Sequence, residues 1–147
     1  FAALHFAIDA ALVRACHDLS EGGLAAAAAE MALAGGLGAE IDLAGVPTVA
    51  ANERGRVAGL PDAVVLFSES NTRFLCEVRP DAAGEFEAYF VGLPFGRVGT
   101  VVDQGRLEIG RSPRPLAERG DGRSAAPPVI STDLASLKEA WQIPLRW

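Results

Sequence analysis

The stretch "HDLSEGGLAAAAAEMA", residues 17–32, joins a polar, acidic segment to a run of alanines. The alanines predict a helix, because alanine has the highest helix propensity. The pair Gly35-Gly36 predicts the C-terminal end of that helix. We therefore expect a helix from about Leu19 to Ala34, with small side chains that let a neighbouring element approach its backbone closely.

The start of this helix holds the residues that bear most directly on function. Asp18 and Glu21 have the spacing of a capping box, in which each side chain binds a free backbone N–H group. Gly22 and Gly23 then fall in the first turn, although glycine is a poor helix former. The free N–H groups and the helix dipole of so bare a turn favour a phosphate or carboxylate. Alternatively, the glycines allow tight packing on a neighbouring strand, and the acidic side chains repel any anion without a magnesium ion or an arginine.

The overall composition predicts one globular domain. The 147 residues are 50% hydrophobic and 22% charged, with a formal net charge of −6. A negative chain lacks the phosphate attraction on which nucleic-acid binding depends, and no Lys/Arg run marks contact with an anionic membrane. Asp9 and Arg14 interrupt the apolar N-terminal stretch, which therefore predicts an amphipathic helix rather than a signal peptide or membrane span. We expect a single domain over residues 1–147, in the cytoplasm, without nucleic-acid or membrane partners.

The two cysteines, Cys16 and Cys76, are far apart in sequence. Their spacing predicts neither a zinc site nor a disulfide framework. We expect buried, reduced thiols, as in most cytosolic proteins. The chain begins at Phe1 and its only methionine is Met31, so we expect it to be part of a longer polypeptide.

The hydrophobic periodicities predict an α+β fold. The expected elements, in chain order, are a helix on Leu4, Ile8, Leu12 and Ala15, a short strand or link at 16–18, the alanine-rich helix, a strand at 38–43, a short surface helix at 52–56, a hairpin of 63–70 with 72–79, a helix at 81–93, a hairpin of 97–102 with 106–110, and a last helix capped by Thr132 or Asp133. Residues 111–128 are rich in Pro, Gly, Arg and Ser and predict a flexible loop.

One histidine and two serines raise the question of catalysis. His17 has a free pKa near neutrality and suits either acid–base chemistry or a structural hydrogen bond. Ser20 and Ser70 lack a Ser-His-Asp context. We therefore assign no catalytic residue.

A second polar cluster, "FSESNTRF", separates two apolar runs. Turn formation alone accounts for Glu69, Ser70 and Asn71. Arg73 enters an apolar strand, and its guanidinium suits a carboxylate or phosphate ligand. Pairing with Glu69 or Glu21 is the alternative for this arginine.

The ordered set "HDLSEGGLAAAAAEMA", "GAEIDL", "LFSESNTRFLCEV", "RVGTVV" and "LASLKEAW" resembles the C-terminal end of phosphoribosylformylglycinamidine synthase, the large synthetase subunit of purine biosynthesis. The resemblance covers nearly the whole chain except residues 44–61 and 111–128. It implies a domain like the C-terminal domain of aminoimidazole ribonucleotide synthetase, a mixed sheet flanked by helices and partly like a ferredoxin fold. Asn71 stands where the family's first half has glutamine in a substrate-binding loop.

The resemblance also implies an activity for the complete enzyme. That family uses ATP, with magnesium, to activate the amide oxygen of formylglycinamide ribonucleotide, and ammonia from a glutaminase partner then displaces the phosphate. The implied partners are N-terminal synthetase domains of the same chain, a glutaminase and small bridging subunits. Because the family's catalytic histidine and its main ATP and magnesium ligands lie in other domains, we expect this domain alone to bind no cofactor and to be inactive.

Two other functions stay open. The chain is alternatively a non-catalytic structural or docking module of the same complex, or the C-terminal domain of a selenophosphate-synthetase or hydrogenase-maturation type of protein. In each case we expect the glycine pair to face a surface outside this chain, beside the 69–73 turn. The candidate binding residues are His17, Asp18, Ser20, Glu21, Gly22, Gly23, Glu69, Ser70, Asn71 and Arg73; none is assigned to a metal.

Overall fold

The computed structural model describes residues 1–48, 59–112 and 127–145. The helices are α1 (Ala2–Asp9), α2 (Gly23–Gly35), α3 (Asp62–Phe67), α4 (Ala83–Ala88) and α5 (Leu134–Gln142). The strands are β1 (Val13–Asp18), β2 (Gly38–Asp42), β3 (Phe74–Val78), β4 (Gly99–Val102), β5 (Arg106–Gly110) and β6 (Ile130–Asp133). None of these helices is long and apolar enough to cross a membrane.

The described strands form two separate sheets. β1 pairs with β3 in an antiparallel ribbon, and the other strands form a four-stranded sheet in the order β4-β2-β5-β6. This larger sheet is mixed, since β2 is parallel to β5 while its pairing with β4 is antiparallel. The predicted α+β class with a mixed sheet and flanking helices is therefore what the chain adopts.

The alanine-rich helix α2 lies at the centre of the main core. It contacts β2, β5, α3 and α5, and its buried alanines pack with the larger side chains of Leu43, Leu66, Leu107 and Ile109. The small residues let the neighbouring elements approach closely, as the composition predicted. A second cluster of Ala7, Leu12, Ala82 and Phe86 joins α1 to α4 and the β1–β3 ribbon.

Both predicted hairpins are wrong. Residues 62–67 form helix α3, and β3 pairs instead with β1, about sixty residues earlier. β4 and β5 do belong to one sheet, but β2 lies between them. A short apolar run fits a strand and a buried helical turn equally well, and local patterns contain no information on distant pairing partners.

Several element boundaries also differ from the predictions. α1 ends at Asp9 and Ala11 has φ 57°, so Leu12 and Ala15 lie outside it. The 81–93 helix is reduced to a 3₁₀ turn at Pro80–Ala82 followed by α4. The predicted cap of the last helix is correct: an Asp133 carboxylate oxygen accepts a hydrogen bond from the Ser136 N–H at 2.8 Å.

Two predictions fall wholly or mainly on residues that the structure does not describe. The surface helix at 52–56 lies outside the described residues, and so do positions 113–126 of the predicted loop. At the beginning of that loop, Arg111 pairs with Asp62. The Ser112 N–H donates to the buried Asp42 carboxylate at 3.0 Å, so residues 111 and 112 are anchored to the domain.

Candidate functional site

An open depression of about 540 Å³ lies where β1 ends and the segment before β3 begins. Its polar lining brings together six of the predicted site residues: Asp18, Ser20, Glu69, Ser70, Asn71 and Arg73. The predicted residues His17, Glu21, Gly22 and Gly23 lie outside the lining. Residues that the sequence reading did not select complete the walls: Phe1, Cys16, Leu19, Thr72 and Phe74.

The missed residues have a common structural origin in the β1–β3 pairing. Asp18 pairs with Phe74 and Cys16 pairs with Cys76, so alternate residues of β1 share one face with the start of β3. Phe1 reaches the same face, where its ring lies edge-on to the ring of Phe74 with 5.7 Å between the ring centroids. No sequence signal marks Cys16, because residues 13–18 do not alternate polar and apolar side chains although their exposure in the strand alternates.

The helix start differs from the predicted capping box. α2 begins at Gly23, and its N-cap is Gly22 in the left-handed conformation, φ 71°, without a side-chain cap. Asp18 belongs to β1 and accepts a hydrogen bond from the Ser20 hydroxyl, which lowers the pKa of this carboxyl. Asp18 and Glu21 therefore do not form the predicted box, because a left-handed glycine makes the turn into the helix on its own.

A carboxylate of the same chain lies at the helix start. The Gly22 N–H donates to Glu69 Oε1 at 2.9 Å, and a negative charge near a helix N-terminus is favourable. This bond also brings the 69–73 segment against the beginning of α2, the neighbourhood that the sequence predicted. Glu69 thus supplies internally the anion that the bare turn favours.

Gly23 is a glycine because the backbone of α3 lies against it. A Cβ atom at this position would lie 2.6 Å from the Leu66 carbonyl oxygen and 2.9 Å from that of Ser68. The close-packing alternative therefore accounts for Gly23, with a helix end in place of the expected strand. The hypothesis that this glycine is kept bare for a surface outside the chain is wrong.

Arg73 stabilises the end of α3, the segment that lies against Gly23. Its Nη1 donates to the Ser68 carbonyl oxygen at 2.9 Å and to the Ser68 hydroxyl at 2.7 Å. Burial lowers the pKa of its guanidinium. Within the described residues it forms no ion pair, with Glu69, Glu21 or any other carboxylate, so it is the cationic group of the depression.

His17 projects away from the depression toward α2. Its Nε2 lies 2.7 Å from Glu30 Oε2, and its Nδ1 donates to the Asp18 carbonyl oxygen at 2.6 Å. The bond to the Asp18 carbonyl, followed by that to Glu30, raises its pKa. The structural alternative for His17 therefore fits its surroundings, as a link between β1 and α2.

The charges of the depression do not fit a polyphosphate or a metal ion without help from elsewhere. Asp18 and Glu69 contribute two carboxylates to the lining, against the single guanidinium of Arg73. No group of three or more His, Cys, Asp or Glu side chains within residues 1–48, 59–112 and 127–145 is arranged to hold a metal ion. The carboxylates, Asn71 and the hydroxyl groups suit hydroxyl or amide groups of a ligand.

Comparison with known proteins identifies the family of the chain. Residues 2–111 match the family described as AIR synthase related protein, C-terminal domain. The chain belongs to this family. The match includes all ten predicted site residues of this AIR synthase related domain.

Curated relatives of this AIR synthase related domain are much longer proteins. Phosphoribosylformylglycinamidine synthase subunit PurL of Deinococcus radiodurans is 32% identical over 139 residues, 95% of this chain and 16% of the relative. The same subunit of Lactobacillus helveticus is 31% identical over 139 residues, 95% of this chain and 15% of the relative. The chain therefore spans about a sixth of the length of these relatives.

Solved structures share the fold of the domain. T. maritima PurL complexed with ATP matches with a TM-score of 0.70 and 22% identity, over 92% of this chain and 20% of that one. T. maritima PurL complexed with FGAR matches with a TM-score of 0.67 and 19% identity, over the same shares of the two chains. The likeness confirms the mixed sheet flanked by helices that the sequence resemblance implied.

Proposed function

We propose that this chain is the C-terminal domain of an ATP-dependent ligase that converts formylglycinamide ribonucleotide to formylglycinamidine ribonucleotide in purine biosynthesis. The observation that carries the proposal is the similarity to PurL over 95% of the chain, together with family membership. The depression at the end of β1 is then one wall of a nucleotide or substrate pocket. The other wall belongs to N-terminal synthetase domains.

The charge distribution supports a shared pocket. Two carboxylates and one guanidinium line the depression, so phosphate groups and their magnesium ions need ligands from another domain. This wall offers Asn71 and the hydroxyl groups to the uncharged parts of a ligand, such as a ribose or an amide. The T. maritima relatives that share the fold are complexes with ATP and with FGAR, and both ligands contain ribose.

The complete reaction involves partners outside this chain. We expect a cytoplasmic enzyme that receives ammonia from a glutaminase through small bridging subunits. The isolated domain is inactive under this proposal, because it contributes no catalytic group.

Substitution of Asn71 tests the binding role. In the complete enzyme, Asn71→Ala should raise the KM for ATP or for formylglycinamide ribonucleotide by about tenfold, the loss of one hydrogen bond to the ligand. Asp103→Asn, on the exposed β4–β5 connection, is the matched control and should leave both KM values unchanged. Equal kinetics of the two variants would contradict a role for Asn71 in binding.

Calorimetry on the isolated domain tests whether the pocket is shared. Titration with ATP and magnesium should show no binding to residues 1–147 alone, whereas the complete enzyme binds. A micromolar dissociation constant for the isolated domain, about −8 kcal/mol, would contradict the shared pocket.

A second candidate, a non-catalytic docking module of the same complex, is favoured by exposed apolar side chains in the α1 region and at the end of α3. Phe1, Phe6 and Ile8 of the α1 region are 82%, 56% and 48% exposed, and Phe67 at the end of α3 is 55% exposed. Under this alternative, Phe6→Ser should release the domain from the complex or from its neighbouring domains, while Asn71→Ala changes neither KM. Gel filtration of the complex with Phe6→Ser, together with the KM values of Asn71→Ala, separates the candidates.

A further inference from the structure

The two cysteines lie opposite one another in the β1–β3 ribbon. Cys16 and Cys76 are direct partners in the antiparallel register, and their Sγ atoms are 3.6 Å apart. Directly opposite residues of an antiparallel pair project to the same face of the ribbon, so the two side chains are neighbours. Both thiols are free.

Their accessibility differs in a way that assigns them different roles. Cys16 is exposed, contrary to the expected burial, because it belongs to the outward residues of β1 and lines the depression. Cys76 is half-buried against the α1–α4 cluster. An oxidant in solution therefore reaches Cys16 first, and Cys76 is in the position of a resolving cysteine.

We propose that Cys16 and Cys76 are a redox-sensitive pair that a hydroperoxide converts into a cross-strand disulfide. Opposite residues of an antiparallel pair have Cα separations of about 4.5–5.5 Å, within the range of about 4.4–6.8 Å found across disulfides. The bond therefore forms without separation of the strands. It joins the wall of the depression formed by β1 directly to β3.

The chemistry needs one equivalent of peroxide. The Cys16 thiolate attacks an oxygen of hydrogen peroxide, the O–O bond breaks, and Cys16 becomes a sulfenic acid; the hydroxide that leaves takes up the proton that the Cys16 thiol had released, and becomes water. The Cys76 sulfur then attacks the Cys16 sulfur; the S–O bond breaks, and the hydroxyl group leaves with the Cys76 proton as a second water. Two thiols are oxidised by two electrons and one peroxide is reduced to two waters.

The local environment supports this order of events. Burial, followed by the neighbouring Cys16, raises the pKa of the Cys76 thiol to about 12. Cys76 therefore keeps its proton at neutral pH and does not compete for the oxidant. Once Cys16 is a sulfenic acid, its electrophilic sulfur lies in contact with Cys76, and this proximity favours their reaction.

Peptide mapping of the folded protein tests the proposal. After treatment with hydrogen peroxide and alkylation, a non-reducing tryptic digest should contain residues 15–54 linked to residues 74–97, with the loss of two hydrogen atoms relative to the separate peptides. Dithiothreitol should restore both alkylated peptides. Recovery of both cysteines as free thiols, or a Cys16 disulfide between two chains, would overturn the proposal.

Two further measurements separate preorganisation from chance oxidation. The linked peptide should form at least about tenfold faster in the folded protein than in urea, because the fold already places the sulfur atoms in contact; equal rates would overturn the proposal. In Cys76→Ser, Cys16 should proceed to sulfinic acid under the same peroxide treatment. None of these readouts depends on ligase activity, so their failure is distinct from failure of the proposed function.

Discussion

Gly23 lies where helix α2 meets the backbone at the end of α3, and it has φ 63°. Gly23→Ala should lower the free energy of unfolding by about 2–4 kcal/mol, because the added methyl group combines left-handed strain with overpacking. The carbonyl oxygens of Leu66 and Ser68 are backbone atoms and cannot turn away. Urea denaturation gives the value.

Gly35, in the last turn of the same helix, is the matched control for Gly23. Nothing lies within 4 Å of a Cβ built at Gly35, so Gly35→Ala should stabilise the domain by up to about 1 kcal/mol through helix propensity. Equal destabilisation by the two substitutions would show that contact with α3 is not the reason for a glycine at position 23.

His17 and Glu30 give the link between β1 and α2 a predictable pH dependence. The pKa of His17 in the folded protein lies above its ordinary 6.5, so the charged imidazole stabilises the fold below that pH, and this contribution is lost as the pH rises through the folded pKa. Glu30→Gln should therefore destabilise the domain at about pH 5.5 and have little effect at about pH 8.5. With the two side chains 34% and 50% exposed, the loss should stay below about 1 kcal/mol.

Thermal unfolding at the two pH values measures this dependence. Glu77→Gln is the control, because Glu77 pairs with Arg14 at 3.4 Å and the guanidinium keeps its charge throughout this range. Its effect on stability should be the same at both pH values. A pH-independent effect of Glu30→Gln would contradict the assigned link.

Individual polar residues of the depression could be selected from the sequence, but their hydrogen-bond partners could not be predicted. Asp18, Ser20, Asn71 and Arg73 line one depression as a group, since polar residues that interrupt apolar runs collect at the ends of strands. The predicted carboxylate partner of Arg73 was wrong. Its guanidinium instead donates two hydrogen bonds to Ser68, whose position is set by the end of helix α3. No local pattern identifies a helix where the residue types favour a strand.

Gly38 is the point at which the β4–β5 connection crosses the beginning of β2. A Cβ atom at this position would overlap the carbonyl oxygens of Gln104 and Arg106. Gly38→Ala should therefore cost about 3 kcal/mol in unfolding free energy, since two backbone segments must move apart.

Gly105 serves as the control on the same crossing. The nearest atom to a Cβ built there is a Leu134 methyl carbon at 4.0 Å, an ordinary contact. Gly105→Ala should change the free energy of unfolding by less than about 1 kcal/mol. If both variants unfold at the same urea concentration as the wild type, the crossing does not restrict the size of the side chain at residue 38.

Long elements with clear periodicity were predictable, whereas strand order was not. Helix α2 and the capped helix α5 follow from alanine content and from the Asp133 cap. The insertion of β2 between β4 and β5 depends on a glycine that permits a close crossing, and a turn sequence at 103–105 favours the simple hairpin equally. The pairing of β1 with β3 likewise depends on contacts far apart in sequence.

At the scale of the whole molecule, the fold class and family could be predicted because the ordered blocks of sequence extend over most of the chain. The division of the hydrophobic interior into two clusters could not be predicted from the sequence. Each apolar stripe indicates that a residue is buried, but not which of two cores receives it. The depression could not be predicted either, because its lining combines the N-terminus, β1 and the 69–74 segment, which are far apart in sequence.

The two clusters predict two levels of local stability, which hydrogen exchange can measure. The β1–β3 ribbon is two-stranded and packs Cys76 and Val78 against the smaller cluster around Phe86, whereas β2 and β5 each have neighbours on both sides. Phe86→Leu should therefore lower the free energy of unfolding by about 1–2 kcal/mol. It should also lower the protection of the α1, β1 and β3 amides against hydrogen exchange, while the β2 and β5 amides stay protected. Ile109→Val, in the main core, should cost about 0.5–1.5 kcal/mol and lower the protection of every strand, because opening that core unfolds the whole domain. Equal loss of protection in β1 and β5 after Phe86→Leu would mean that both clusters unfold as one cooperative unit.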